Sequence, residues 1–281
     1  MGVHNIFSTV KEDYFFVEYK DLRLSYMVFG TGSETVVAMH GHGKHALDFD
    51  FLGDASKRVI SINLFLHGES TFSDDRLNRN LIAIEDVEKL LEKLLIQEKI
   101  SHFHFVAYSQ GGRFVLSVLP FFIQRVLSVQ LLAPDGLNDT NFYSWSQRRW
   151  WARRLFKRWT EKPHELLTVA SALAKVNVIH PKIVDFLKFY TSDHQKFKRA
   201  FHTWSAFRNL RPKPKRIREA LNAHPIPFRL IIGEFDRIIT KKSAEGFLSK
   251  IDQSTALVVI QAGHDFFRED MIGMIKAGLK F

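Results

Sequence analysis

The chain has 281 residues, 46% of them apolar and 25% charged, a composition that excludes intrinsic disorder and allows one large domain with an insertion, or at most two domains. A chain of that size buries about three quarters of the surface its unfolded form exposes, and the absence of cysteine excludes disulfides, thiolate metal sites and a cysteine nucleophile. The net charge of +10 is uneven: Thr140 to Ala220 carries 19 Lys and Arg against 5 Asp and Glu, and the remainder 21 against 25.

Met1 to Tyr14 shows no basic segment followed by an apolar run, so no signal peptide is expected. The longest apolar stretch, Phe114 to Ile123, is about half a membrane span and is interrupted by Ser117 and Pro120. With no cysteine, the expectation is a cytoplasmic, soluble protein. Tyr14–Tyr19 and Leu22–Phe29 read as a hairpin of antiparallel strands around Lys20-Asp21. Thr35–Met39, Arg58–Asn63, Phe103–Ala107 and Val126–Leu132 are short continuous apolar runs, the pattern of strands buried on both faces of a parallel sheet. Between them, Ile84, Val87, Leu91, Leu94 and Leu95 recur at helical spacing and predict a helix over Leu81–Glu98. A second helix follows Gly111 and is expected to end near Pro120.

From Thr140 to Asn209 the rhythm changes. Ser144–Trp159, His164–Lys175 and Asp193–Asn209 read as helices, and the chain returns through Arg211–Lys215. The tail then resumes the alternation: Phe228–Ile232 as strand, Lys242–Lys250 as helix, Leu257–Ile260 as strand and Met271–Leu279 as helix. The fold class read from this order is α/β, a mostly parallel sheet with helices on both faces and a helical insertion. Residues 1–137 and 211–281 form the expected core domain and 138–210 the insertion.

The strongest local signal is Val106-Ala107-Tyr108-Ser109-Gln110-Gly111-Gly112, placed where a strand stops and a helix begins. A turn this sharp strains its central residue and pushes that side chain outward. The positions two before and two after must be small, which Ala107 and Gly111 satisfy. The Ser109 hydroxyl would then sit at a helix N-terminus, where unpaired amides favour developing negative charge. Serine needs a base to take its proton, and the base needs an acid to hold its tautomer. Asp236 follows one tail strand and His264 follows the next, at the strand edge where catalytic groups of open parallel sheets gather. Glu234 and Asp135 are competing acids; the spacing after the strand ranks Asp236 first.

These segments resemble the α/β-hydrolase superfamily, with Ala107 in place of the usual first glycine. His40-Gly41-His42-Gly43 resembles its oxyanion loop, and Asn63 to Ser70 the segment after its fourth strand, where an aspartate often stands at Asn63. Leu131 to Gly136 resembles the entrance to its cap domain. The resemblance implies a hydrolase with Ser109, Asp236 and His264 as catalytic triad and the backbone amides of His42 and Gln110 as oxyanion hole. It implies no cofactor and no metal. The order serine, acid, histidine is the one expected for that fold.

A rival reading takes His40-Gly-His42-Gly-Lys44-His45 as a metal run, but Lys44 occupies the acidic ligand position, which is electrostatically adverse. His67, His102 and His104 read as structural. In the insertion, Trp151, Leu155 and Trp159 share one helix face among Arg153, Arg154, Lys157 and Arg158, and Phe186, Phe189, Phe197, Phe201, Trp204 and Phe207 continue the aromatic supply. These rings would pack the cap onto the sheet or line an apolar acyl pocket. The cations suit an anionic substrate or peripheral contact with an acidic membrane surface; no recognition motif points to nucleic acid, and none fixes an oligomeric state. The reaction expected is cleavage of a carboxylic ester, a thioester or a carbon–carbon bond of a small-molecule, apolar acyl substrate through an acyl-enzyme at Ser109. The alternative is a ligand-binding receptor or interaction protein on the same fold with little turnover.

Overall fold

The computed structural model describes residues 13–77, 80–137, 149–251 and 255–281. The leader expectation for residues 1–12 and the first part of the helix expected from Ser144 lie outside them. Eight strands form one sheet: β1 (Phe15–Tyr19), β2 (Leu22–Phe29), β3 (Glu34–Met39), β4 (Lys57–Ile62), β5 (Phe103–Tyr108), β6 (Val126–Leu132), β7 (Phe228–Gly233) and β8 (Thr255–Ile260). Their order is β1-β2-β4-β3-β5-β6-β7-β8. β2 runs antiparallel to β1 and β4, and the other neighbours pair in parallel. Every residue of β5 is buried, as its continuous apolar run requires for a strand covered on both faces.

Strand order reverses at β3. The chain leaves β3 for β4 on one side and later returns to pair β5 with β3 on the other. A crevice opens at the carboxyl ends of two strands related in this way, because their connections depart in opposite directions. The loops after β3 and β5 meet there.

The helices are α1 (Ile84–Gln97), α2 (Gln110–Phe122), α3 (Trp150–Glu161), α4 (Pro163–Lys175), α5 (Pro181–Thr191), α6 (His194–Ala206), α7 (Pro214–Ala223), α8 (Lys241–Leu248) and α9 (Ile272–Gly278). α1 buries Val87, Leu90, Leu91, Leu94 and Leu95 along one stripe. It starts later than its periodicity suggests, where Asp86 accepts the Ala83 amide at 3.2 Å and caps the first turn. α2 runs past Pro120 to Phe122, further than expected. The proline lies in the last turn, where one missing bond, to the Leu116 carbonyl, costs less than burial of Leu119 and Phe122 returns.

α3 to α7 lie between β6 and β7. Two of them were not anticipated: α5, and α7 within the cationic return segment. Phe207 joins this stretch to the sheet, with its ring 5.0 Å from Phe114 and 6.2 Å from Phe65. The inward face of α3 also differs from the expected one. Ala152 and Thr160 are buried, and Phe156 stacks on Phe201 at 5.8 Å with Phe197 and Trp204 at 5.7 Å each. Trp151 and Leu155 are exposed, because the stripe through 152, 156 and 160 turns them away from it. The side chains of Phe186 and Phe189 lie outside the described set. Among the described residues no helix is long and apolar enough to cross a membrane.

Candidate active site

β5 ends at Tyr108 and α2 begins at Gln110, which leaves Ser109 alone to reverse the chain. Its backbone takes φ 47° and ψ −113°, a region that L-residues occupy only when the surroundings enforce it. Here they do. The Ser109 amide donates to Leu132 O at 2.9 Å, and its carbonyl accepts from Gly112 N at 2.9 Å and Asp135 N at 2.8 Å. The neighbours must be small for a concrete reason: a Cβ on Gly111 would lie 2.2 Å from Met39 O, and one on Gly112 2.4 Å from Pro134 Cβ.

Two loops at the far side of the sheet are joined by backbone bonds. Glu234 N donates to Ile260 O and Phe235 N to Ala262 O, each at 2.9 Å. This pairing carries Asp236, three residues past β7, to His264, four residues past β8. Asp236 Oδ2 lies 2.7 Å from His264 Nδ1, and His264 Nε2 lies 3.0 Å from Ser109 Oγ. The Asp236 side chain is fully buried, and its other oxygen accepts the amides of Ile238 at 2.8 Å and Ile239 at 2.9 Å. Burial works to raise its pKa. The hydrogen bond from His264 and the two amides outweigh burial and hold the carboxyl below its usual range. An ionised Asp236 can only accept, so Nδ1 of His264 carries the proton and Nε2 keeps its lone pair toward the serine hydroxyl. The Tyr108 hydroxyl donates to His264 O at 2.8 Å, which fixes the loop that bears the ring.

The competing acids are engaged elsewhere. Asp135 takes both arms of Arg113, at 2.8 and 2.9 Å, and Glu234 bonds Gln261.

The loop after β3 passes beside the serine, since a Cβ on Gly41 would lie 3.1 Å from Ser109 Cβ. Two histidines support it. His40 Nε2 accepts the Leu64 amide at 3.0 Å and its Nδ1 donates to Gly41 O at 2.7 Å. His67 Nε2 accepts the Gly43 amide at 2.9 Å and its Nδ1 donates to Phe65 O at 3.1 Å. Both rings are therefore neutral, with neither lone pair left for a metal. The rings of His40 and His42 meet that of His67 edge-on at 4.9 and 5.5 Å. Burial, reinforced by the neighbouring imidazole, pushes His40 well below its ordinary value and His42 down to about 3. Burial lowers His67 to about 4. The amide of Gln110 is the first of α2, where no preceding turn supplies an acceptor. The His42 and Gln110 amides thus sit in the loop and helix start that flank Ser109. His42 Nδ1 and Gln110 Oε1 are buried without a protein partner among the described residues.

His104 lies on β5, bonded to Ser128 Oγ at 2.7 Å and Glu34 at 3.1 Å, far from this chain of groups in register. His102 is exposed.

The sequence pattern of the alpha/beta hydrolase fold family matches residues 35–270. The chain belongs to that family. Among curated proteins, the dihydrolipoyllysine-residue acetyltransferase component of the acetoin cleaving system of Cupriavidus necator is 31% identical over 130 residues, 45% of this chain and 33% of that protein. The protein of the same description from Pseudomonas putida is 33% identical over 113 residues, 39% of this chain and 29% of that protein. The chain thus matches about a third of the length of these relatives. Among solved structures, a probable hydrolytic enzyme of Pseudomonas aeruginosa superposes with TM-score 0.64 at 17% identity, covering 96% of this chain and 94% of that one. An enol-lactonase of Burkholderia xenovorans gives 0.64 at 17% identity, covering 94% and 97%. A thermophilic esterase of Thermogutta terrifontis gives 0.61 at 18%, covering 90% and 91%. These likenesses are of fold.

Within this α/β-hydrolase fold, two supports of the site were not read from the sequence: the His67 bond to the loop after β3 and the Tyr108 bond to His264 O. The signal for the first was the His67-Gly68 pair in the turn after β4. Gly68 takes φ 50°, and a Cβ there would lie 2.3 Å from the Asn63 side chain, so the turn that aims His67 is built around Asn63. Lys44 adds a third tie, pairing with Asp265 at 2.9 Å.

Proposed function

We propose that the protein is a serine hydrolase that cleaves a carboxylic ester, or a related acyl bond, through an acyl-enzyme at Ser109. The observation that carries this reading is the unbroken hydrogen-bonded chain from Ser109 Oγ through His264 to the buried Asp236.

His264 Nε2 removes the hydroxyl proton as Ser109 Oγ bonds the acyl carbon, and the carbonyl π electrons move onto oxygen. The oxyanion is received by the His42 and Gln110 amides, whose fixed dipoles stabilise charge that is absent in the ground state. Collapse expels the alkoxide or thiolate, which takes the proton from the imidazolium. Water then repeats the sequence, its proton passing to His264 and back to Ser109 as the acid leaves. Asp236 holds the tautomer throughout and stabilises the imidazolium. Helices α3 to α6 serve as a cap over this edge, and the acyl group is apolar.

The test is turnover of p-nitrophenyl esters of graded chain length, beside acyl thioesters, by the native chain and Ser109→Ala. The native chain should turn over at least one series and be labelled by an active-site phosphonate, and Ser109→Ala should do neither. Undiminished turnover in Ser109→Ala would refute the role of Ser109. Labelling without any steady-state rate would point instead to a receptor.

A further inference from the structure

α4 has one face too many for a helix that merely packs. Leu166 and Ala170 are turned inward and buried. Val169, Leu173 and Val176, spaced so that they stack along one line of the helix, are 45%, 37% and 68% exposed. The line continues past the helix end. Asn177 takes φ 56°, its amide donates to Ala174 O at 3.1 Å, and Val178 N donates to Leu173 O at 2.9 Å. This left-handed cap folds the chain back, bringing Val178, 66% exposed, alongside Leu173. Exposed apolar residues scattered singly need no explanation, but a contiguous row marks a contact surface.

The surroundings of the row select its occupant. Positions 149–191 hold nine Lys and Arg against three Asp and Glu. Two of those acids are already engaged: Glu165 by Arg158 at 2.6 Å, and Asp185 by Lys188 at 3.6 Å. Arg154 and Lys157 stand exposed on α3, which packs against α4. A second copy of the chain would bring two cationic surfaces together, which is repulsive. A nucleic acid would answer the charge but not an aliphatic row, since its bases seek aromatic platforms. An anionic bilayer answers both, offering an apolar boundary beneath a negative headgroup layer.

We propose that the α4 row of Val169, Leu173, Val176 and Val178, with the cations of α3 beside it, seats on the surface of an anionic phospholipid bilayer. The row enters the headgroup boundary and the cations pair with lipid phosphates. This surface is independent of the Ser109 chemistry.

The test is co-sedimentation of the full chain with vesicles of phosphatidylcholine alone and of equal parts phosphatidylcholine and phosphatidylserine. The native chain and Ser109→Ala should sediment alike with the anionic vesicles, little with the neutral ones, and less as salt rises. Arg154→Gln with Lys157→Gln should weaken partitioning about thirtyfold. Val169→Ser, Leu173→Ser and Val176→Ser together should abolish it. All three positions are solvent-facing, so circular dichroism should report an unchanged fold. Three results would overturn the proposal: equal sedimentation of the triple variant and the native chain, equal binding to neutral vesicles, or a dimer in sedimentation velocity that the triple variant dissolves. A fourth is oligonucleotide binding that exceeds vesicle binding and ignores the triple variant.

Discussion

His67 Nε2 accepts the Gly43 amide at 2.9 Å, so a side chain from the turn after β4 sets the position of the loop after β3. Replacing it with a residue that cannot accept leaves a backbone donor unpaired and frees the loop that carries the His42 amide. His67→Phe should lower kcat about tenfold, against about a hundredfold or more where an oxyanion donor is lost outright. KM should change little. Steady-state kinetics on the best ester checks this; an unaltered kcat would remove His67 from the support of the site.

Asp236 and Asp135 separate cleanly by substitution. Asp236→Asn keeps the shape but offers His264 Nδ1 a donor in place of an acceptor, and kcat should fall about ten-thousandfold. Asp135→Ala instead removes the carboxylate that neutralises the Arg113 guanidinium, buried at 4% side-chain exposure, and leaves its bond to Leu210 O at 3.0 Å. It should lower unfolding free energy by about 3 kcal/mol and leave kcat per folded molecule intact. Urea titrations paired with active-site labelling read both quantities, and the reverse pattern would make Asp135 the working acid.

Gly111→Ala places a methyl group 2.2 Å from Met39 O, in backbone that has nowhere to retreat. The substitution should destabilise the fold by about 3 kcal/mol. Gly246→Ala, where a Cβ meets nothing within 4 Å, should stay within about half a kcal/mol of the native chain. Equal midpoints for the two variants in thermal unfolding would contradict the packing at the turn.

The histidine cluster makes stability fall in mild acid. Burial holds His67 to about 4 and, with the His67 ring and Arg199 adding to it, His42 to about 3. The unfolded chain takes up the same protons near the ordinary histidine value of about 6.5. Between those limits the unfolded chain binds more protons, so stability is complete above about pH 6.5 and declines as pH falls toward 4. His67 alone accounts for a loss on the order of 3 kcal/mol. Asp236, held below its usual range, adds a loss that sets in further into acid. Urea midpoints from neutral pH down to about 4 should fall steadily, and His67→Phe should flatten that slope.

The strands were legible because a sheet covered on both faces demands unbroken apolar runs, and β3, β5, β6 and β7 supply them. Ser109, Asp236 and His264 were legible as candidates because each follows such a run at a short distance, and the structure brings the three into one hydrogen-bonded line. What escaped were features decided by tertiary contact. α7 buries only Ile217 and Leu221 within a stretch of cations, too thin a stripe to show as periodicity. α2 outlasts Pro120 because the core rewards its final residues. The packed face of α3 runs through Ala152 and Phe156, small and aromatic in turn, whereas Trp151 and Leu155 of the more conspicuous pattern are exposed and Trp159 lies half-buried, its ring 6.3 Å from that of Phe156. The roles of His67 and Tyr108 rest on single bonds to backbone atoms of distant loops, and no local pattern encodes those.

Ser109 and His264 stand 155 positions apart, with the whole run from α3 to α7 between them. The elbow is held by bonds with Leu132, Gly112 and Asp135, whereas His264 is carried to it by the pairing of the loops after β7 and β8. On the proposed mechanism, parting the loop after β8 from the loop after β7 should therefore silence acyl transfer while the elbow at Ser109 keeps its shape.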